Sequence, residues 1–472
     1  MTWDRAGSSI EIMKINRVTL HTILGALIAT AGVAMRLRSQ VPATARRAAL
    51  DTSIELASFD TAWRRVRDSY YDPSMHGLDW NHVRDEYRPL VARAQSRDQV
   101  RDAIGRMFAA LGDSHFGVIP AEEAPQTDTA SSADDVPGDV GIDLRFIGKD
   151  LVVTHVDSVS PAARVGITAG WIVDDIDTTH IATLRGVIDK ATSEQDRKRV
   201  SLRVLLGGLH RLSGPPGSRV HVVFRDRANR RVERDIVRRA SRGTEVRLGA
   251  PPAMPTWLDQ QRIDGPRGCV GIIRFNTWMP SVAPAFDAAL DGMRGCHGIV
   301  LDLRGNVGGV AAMIMGIAGH FTNREMVLGV MRMRTGELRY VANPRRSTSA
   351  GATVEPFSGR LALVVDELSA STTEIFASAL QQQGRARVFG DTTAGQALPS
   401  VLARLPNGDA MLYAVADLTD AGGRRLEGNG VVPDELFPLS RAALFSGRDD
   451  ALQAALRWID AERRKHAGAG TP

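Results

Sequence analysis

Between residues 51 and 110 apolar side chains recur at intervals of three and four, the period of a helix with one buried face. Leu56, Phe59, Ala62, Trp63, Val66 and Tyr70 form the first stripe, and Tyr71-Asp72-Pro73 ends it. Trp80 to Ala94 and Val100 to Leu111 predict two further helices. This helical unit, residues 51–118, closes around Leu111-Gly112-Asp113-Ser114-His115. Residues 121–138 are polar, acidic and poor in apolar positions, which reads as a linker or loop. Short strands follow at Gly141–Phe146 and Leu151–Val156, then a turn with a small helix at Ser160–Ala163 and a return through Ile172-Val173. Strands at Arg219–Phe224 and Val232–Val237 complete a β-rich unit over residues 136–241, with residues 188–218 as an insertion.

From residue 250 the pattern alternates. Val270–Phe275, Gly298–Leu303, Leu361–Val365 and Arg387–Phe389 read as strands. Val282–Met293, Ala311–Phe321 and about Thr372 to Gln383 read as helices between them. A hairpin is expected over residues 401–418 around Pro406-Asn407-Gly408-Asp409, and a long loop over residues 334–358. This predicts an α/β core with a largely parallel sheet over residues 250–440. Residues 441–472 remain for a C-terminal helix and tail.

Composition narrows the class. With 472 residues there is room for about three domains, and 43% apolar with 24% charged residues is ordinary for a globular protein, which excludes wholesale disorder and fibrous folds. Residues 18–35 are the one stretch apolar enough to be a membrane candidate, which excludes a multi-span protein. Its apolar centre, Ile23–Met35, follows Lys14 and Arg17 and contains Ala29-Thr30-Ala31 and Gly32-Val33-Ala34 as small-residue cleavage sites. Residues 1–35 therefore read as a signal peptide or an uncleaved anchor, and the body of the chain as exported, periplasmic or extracellular. Membrane association is expected through that segment alone.

The net charge is +5, carried almost wholly by arginine: the lysines are Lys14, Lys149, Lys190, Lys198 and Lys465. The arginines are spread among acids rather than gathered with aromatics, so nucleic acid is not the expected partner. Cys269 and Cys296 lie in two similar segments, Gly-Cys-Val-Gly-Ile-Ile and Gly-Cys-His-Gly-Ile-Val. Strands paired in matching register would make them neighbours, free to oxidise in an exported protein; two buried thiols are the alternative. With His297 they are too few ligands for a metal, and neither metal nor cofactor is expected.

Three segments carry candidate chemistry. Leu301-Asp302-Leu303-Arg304-Gly305-Asn306-Val307-Gly308-Gly309 puts glycines at a strand end, where backbone amides can approach an oxyanion. Ser371-Thr372-Thr373-Glu374 reads as a capping box at a helix start. It reads equally as a serine nucleophile whose developing charge meets the Thr372 N–H and the helix dipole. Ser114-His115 supplies an imidazole, the usual base for a serine hydroxyl, or a merely structural histidine.

The run Ser160-Pro161-Ala162-Ala163 through Gly166-Ile167, Gly170 and Ile172 resembles a PDZ domain in the circularly permuted form of bacterial proteases. That resemblance implies peptide added as a strand, with Gly141, Ile142, Asp143 and Leu144 capping its C-terminal carboxylate. LDLRGNVGG, SASTTEIFASAL, GRARVFGDTTAGQ, LPNG and GRRLEGNGVVPD occur in this order. Together they resemble the tail-specific and tricorn-core superfamily of serine proteases, across residues 51–440. The resemblance implies an α/β protease core of crotonase-like ββα repeats and a polypeptide substrate, approached through its C-terminus. One branch of that superfamily uses a serine and a lysine, but Gln396 occupies the lysine's place in Thr393-Ala394-Gly395-Gln396. The tricorn-like branch uses a tetrad, which implies Ser371 as nucleophile, His115 as base, and Ser114 with Glu427 in support. The oxyanion hole falls to Thr372 with Gly308 or Gly309. A peptide-binding protein without turnover and a hydrolase of non-peptide esters are the rival readings.

Overall fold

The computed structural model describes residues 50–121, 137–246, 254–265 and 268–467. The candidate signal segment, and residues 122–136 of the expected linker, lie outside the described residues.

The first apolar stripe forms α1 (Thr52–Ser69), followed by α2 (Trp80–Ala92) and α3 (Arg97–Ala109). Asp51, Asp79 and Ser96 cap these helices by accepting first-turn amides, which satisfies donors that the helix leaves open. Phe59, Val66, Ile104 and Met107 are fully buried between the helices. Their cluster extends onto Leu398, Leu405 and Met411, so the helical unit shares its core with residues far along the chain. A short strand, β1 (Gly117–Ile119), continues that union by pairing with Ala410–Ala414.

The middle unit is an antiparallel sheet of β2 (Ile142–Ile147), β3 (Asp150–Val156), β4 (Ile172–Ile176), β5 (Arg219–Arg225) and β6 (Arg231–Val237), in that spatial order. β2 is an edge strand. Residues 188–218 contain a 19-residue helix, α4 (Glu194–Leu212), which the sequence pattern left as an insertion. Its Leu202, Leu205 and Leu206 pack with Ile142 and Leu144 of β2. The same apolar cluster includes Leu368, Ala370 and Ala394, so this unit's core runs into the loops around Ser371.

The third unit is a six-stranded sheet. Its spatial order is β7 (Leu258–Gly265), β8 (Gly268–Phe275), β9 (Gly298–Asp302), β10 (Arg360–Val365), β11 (Arg387–Gly390) and β12 (Glu435–Leu436). β7 and β8 pair antiparallel, and every other pair is parallel. Alternate residues face opposite layers, as strand geometry demands. Leu301, Leu363 and Val388 meet α5 (Ala283–Met293) and α6 (Thr372–Gln382), the helix that follows Ser371. Val300, Val364 and Phe389 instead meet α7 (Asp450–Ala467). Both faces are covered, which explains why these strands read as unbroken apolar runs.

Some expectations need correction. The expected loop over residues 334–358 contains the strand Gly336–Ala342, which pairs with Met326–Met333. The expected 401–418 hairpin is Ser400–Arg404 with Ala410–Ala414, and Ala416–Asp420 is a separate strand paired with Met326–Met333. Cys269 and Cys296 are disulfide-bonded. Their register is not matched, because Val270 stands opposite Gly298 and the bond therefore reaches one residue off the facing position.

Candidate active site

Ser371 stands where β10 gives way to α6, after a turn through residues 366–370. Its φ is +57°, a left-handed backbone for a residue that carries a side chain. Such a conformation costs about 1–3 kcal/mol and persists where the surroundings fix it. Here Glu374 fixes it. This fully buried carboxylate accepts the N–H of Ser371 at 3.0 Å, Gln396 at 2.9 Å and Gly395 at 2.7 Å, together with the Thr393 hydroxyl. Burial pushes the Glu374 carboxyl up, against the pull of those four donors. The Ser371 amide also reaches the Gln396 carbonyl at 2.8 Å, so Gln396 sits directly beside the serine.

The glycine loop lies against the same turn. Gly308 has φ +102°, and a Cβ there would stand 2.7 Å from the Ser371 Cβ. Gly309 has φ +148°, and its Cβ would meet the Trp278 carbonyl at 2.4 Å. The Thr372 hydroxyl donates to the Gly309 carbonyl at 2.8 Å and ties the loop to α6. The Gly308 N–H donates to Asn306 Oδ1 at 3.0 Å. The amides of Gly309 and Thr372 make no hydrogen bond among the described residues. Those two are the donors still available to an oxyanion.

Ser114, His115 and Glu427 meet although they are more than 300 residues apart in part. The Ser114 hydroxyl donates to Glu427 Oε2 at 2.9 Å and lies 2.6 Å from His115 Nδ1. The Ser114 amide donates to Glu427 Oε1 at 2.8 Å, and the Ala397 amide to Oε2 at 2.9 Å. A hydroxyl has a single proton. Once it goes to Glu427, Ser114 can only accept from His115 Nδ1–H, which leaves the lone pair on Nε2. Burial lowers His115 to about 4, only partly opposed by the neighbouring Asp113 charge. Burial pushes Glu427 up to about 7, against the Ala397 and Ser114 donors, with Asp113 adding to the rise.

Hydrogen bonds run from Ser371 through Gln396-Ala397 to Glu427, Ser114 and His115. No hydrogen bond joins His115 to Ser371 among the described residues. Gln195, Lys198 and Arg199 of α4 line a small cavity with Ser114, Gln396 and Glu427, so the helix read as an insertion covers the relay. Gly141, Ile142, Asp143 and Leu144 lie at the start of edge strand β2 and make none of the hydrogen bonds of this cluster among the described residues. There Ile142 and Leu144 point into the middle unit's core, while Asp143 accepts from Arg274 at 3.3 Å.

Sequence reasoning missed the part played by Glu374 beyond helix capping, and the approach of α4. For Glu374 the signal was present, since an acid three residues after a serine was already in view. For α4 the charged run Glu194–Arg199 hid a helix whose buried residues begin at Leu202.

Comparison with known proteins bears on both the α/β core and the helical unit. Residues 269–437 match the model of peptidase family S41, and residues 56–109, which are α1 to α3, match the tricorn protease C1 domain. The chain thus carries regions that match the S41 peptidase and tricorn C1 domains, and it has relatives named as carboxyl-terminal-processing proteases. A carboxyl-terminal-processing protease of Picosynechococcus is 26% identical over 407 residues, covering 84% of this chain and 87% of the relative. The chloroplastic carboxyl-terminal-processing peptidase 2 of Arabidopsis thaliana is 26% identical over 391 residues, covering 81% and 68%. In fold the chain resembles the photosystem II D1 C-terminal processing protease, with a TM-score of 0.56 and 22% identity over 81% of this chain and 93% of that one. It also resembles mature CPAF, with a TM-score of 0.56 and 11% identity over 87% and 96%.

Proposed function

We propose that this chain is an exported serine endopeptidase that cleaves peptide bonds through an acyl-enzyme on Ser371. The observation that carries the reading is the relay Glu427–Ser114–His115, which holds the imidazole as the Nδ1–H tautomer. That tautomer is the one a general base requires. His115 Nε2 takes the Ser371 proton as Oγ attacks the scissile carbonyl. The imidazolium then protonates the leaving amine, and water releases the acyl group by the same route. The reading requires His115 to close onto Ser371 when substrate binds, as catalytic contacts that are loose in free enzymes do. The open amides of Thr372 and Gly309 receive the tetrahedral oxyanion, while Gly308 shapes the loop that presents them. Gln396 in the lysine position supports a histidine-based mechanism over a lysine-based one.

The middle unit is read as PDZ-like and the core as crotonase-like. Edge strand β2, from Gly141 to Leu144, would take the substrate's C-terminal segment as an added strand. Relatives named as carboxyl-terminal-processing enzymes support a polypeptide approached through its C-terminus.

The test is labelling of the folded full chain with a fluorophosphonate, beside Ser371→Ala, His115→Ala and Lys198→Ala. Labelling that is lost in the first two variants and kept in the third is expected. A folded chain that does not label overturns the proposal in favour of a binding protein. Labelling that survives Ser371→Ala overturns the nucleophile, and loss in Lys198→Ala makes the α4 lysine the base.

A further inference from the structure

The relay is assembled from two pieces of chain that nothing covalent holds together. Ser114 and His115 end the helical unit, and Glu427 belongs to the loop after Ala416–Asp420. In the turn that carries the histidine Gly112 has φ +75°, which glycine adopts freely, and His115 has φ +61°, which strains a residue with a side chain. A side chain in that region stays there only when its neighbours over-determine it. One residue before Ser114 stands Asp113, and two residues before Glu427 stands Arg425.

Their side chains meet. Arg425 Nη2 lies 3.2 Å from Asp113 Oδ1 and donates to the Tyr71 hydroxyl at 2.6 Å, while its Nε donates to Asp417 at 3.0 Å. The other oxygen, Asp113 Oδ2, accepts from the Tyr71 hydroxyl at 2.7 Å and from the Tyr70 hydroxyl, and it lies 3.1 Å from His76 Nε2. Arg199 of α4 reaches the Asp113 carbonyl at 3.4 Å. Asp113 is only 5% exposed. A carboxylate so deeply buried is tolerated when it is paired and fully hydrogen-bonded. Two phenols, an imidazole and a guanidinium meet that condition here.

We propose that Asp113 and Arg425 form a clasp that positions the relay, holding the segment of Ser114 and His115 in register with the segment of Glu427. The contacts form two rungs, Asp113 to Arg425 and Ser114 to Glu427. The first is an ion pair anchored on α1 through Tyr70 and on the core through Asp417. The second is the proton relay itself. Asp113 and Arg425 are positioning residues: they act through Glu427 and Ser114 and touch no reacting atom. This inference rests on the serine peptidase reading above.

The experiment measures the maximal rate and half-saturation of fluorophosphonate labelling for the full chain, Asp113→Asn, Arg425→Gln and Arg425→Lys. Each is made alone and combined with Glu427→Gln, and each is checked for wild-type melting. Asp113→Asn and Arg425→Gln are expected to lower the maximal rate about 10- to 100-fold, the scale of a small misplacement of reacting groups. Half-saturation should change less than about twofold. Arg425→Lys, which keeps the charge, should recover part of the rate. In the Glu427→Gln background the same changes should cost less than about twofold, because the step they serve is already lost. Wild-type rates in the single variants overturn the clasp while leaving the peptidase reading intact. So do losses that stay undiminished in the Glu427→Gln background, or that fall on half-saturation. If the unmodified chain does not label, the peptidase reading fails first and the clasp falls with it. Should Asp113→Asn fail to fold, the two Arg425 variants decide the matter by the same criteria.

Discussion

Glu427 accepts three hydrogen bonds with two oxygens, and no neutral isostere can do the same. In Glu427→Gln one oxygen becomes an NH2 that faces either the Ser114 amide or the Ala397 amide and Ser114 hydroxyl. Like groups then oppose each other. If the Ser114 hydroxyl turns away and donates to His115 Nδ1 instead, the imidazole must carry its proton on Nε2, and the base is lost. Activity should fall by about 10²-fold or more, the usual worth of a positioned general base, and stability by about 1–3 kcal/mol for the buried donor left without an acceptor. The check is the initial rate on a peptide substrate beside a melting curve, and a rate within a few-fold of wild type would remove Glu427 from the mechanism. This carboxylate was legible in the sequence only through the resemblance that GRRLEGNGVVPD carries with the segments before it. No local rule marks an acid in Arg425-Leu426-Glu427-Gly428 as buried, because its partner Ser114 lies 313 positions away.

At the scale of elements the turn that carries Ser371 depends on α6 more than on Ser371 itself. Its Glu374 does far more than close a capping box, since three amides and a hydroxyl converge on it from two loops. Glu374→Ala would leave the Gly395 and Gln396 amides and the Thr393 hydroxyl buried without that acceptor, each at about 1–3 kcal/mol, where an exposed cap is worth only ~1 kcal/mol. We expect a loss of about 3 kcal/mol or more in chemical denaturation, and a loss of about 1 kcal/mol would reduce Glu374 to an ordinary cap. Periodicity revealed the elements that bury one face or two, such as α1, α5, β9 and β10. It failed where burial is absent. β7 is exposed along nearly its whole length as an edge strand, so no alternation marks it. The disulfide partners were legible as a pair of similar segments, but their one-residue offset belongs to the strand register, which only the assembled sheet defines.

Across the whole molecule the middle unit is held to the Ser371 turn by charge as well as by apolar packing. Arg145 of β2 donates to Asp366 at 2.7 Å, with both side chains buried, and the Phe146 amide donates to Glu367 at 3.0 Å. Asp366 and Glu367 open the turn that leads to Ser371, so whatever loosens this junction acts close to that serine. Burial pushes Glu367 up to about 7, although Arg145 and the Phe146 amide pull it down. The folded chain therefore holds this proton more tightly than the unfolded chain, whose glutamates titrate near 4.3. The stability this provides is complete below about pH 4.3 and is lost as pH rises through 7. At about 1.4 kcal/mol per pH unit, the window is worth at most about 4 kcal/mol. Glu367→Gln keeps an acceptor for Phe146 and removes the titration. Its melting temperature should match wild type near pH 4, exceed it increasingly from pH 5 to pH 7, and keep a constant lead above that. A difference that is constant with pH, or of the opposite sign, would mean that Glu367 is already ionised at the junction and that Arg145 outweighs burial there.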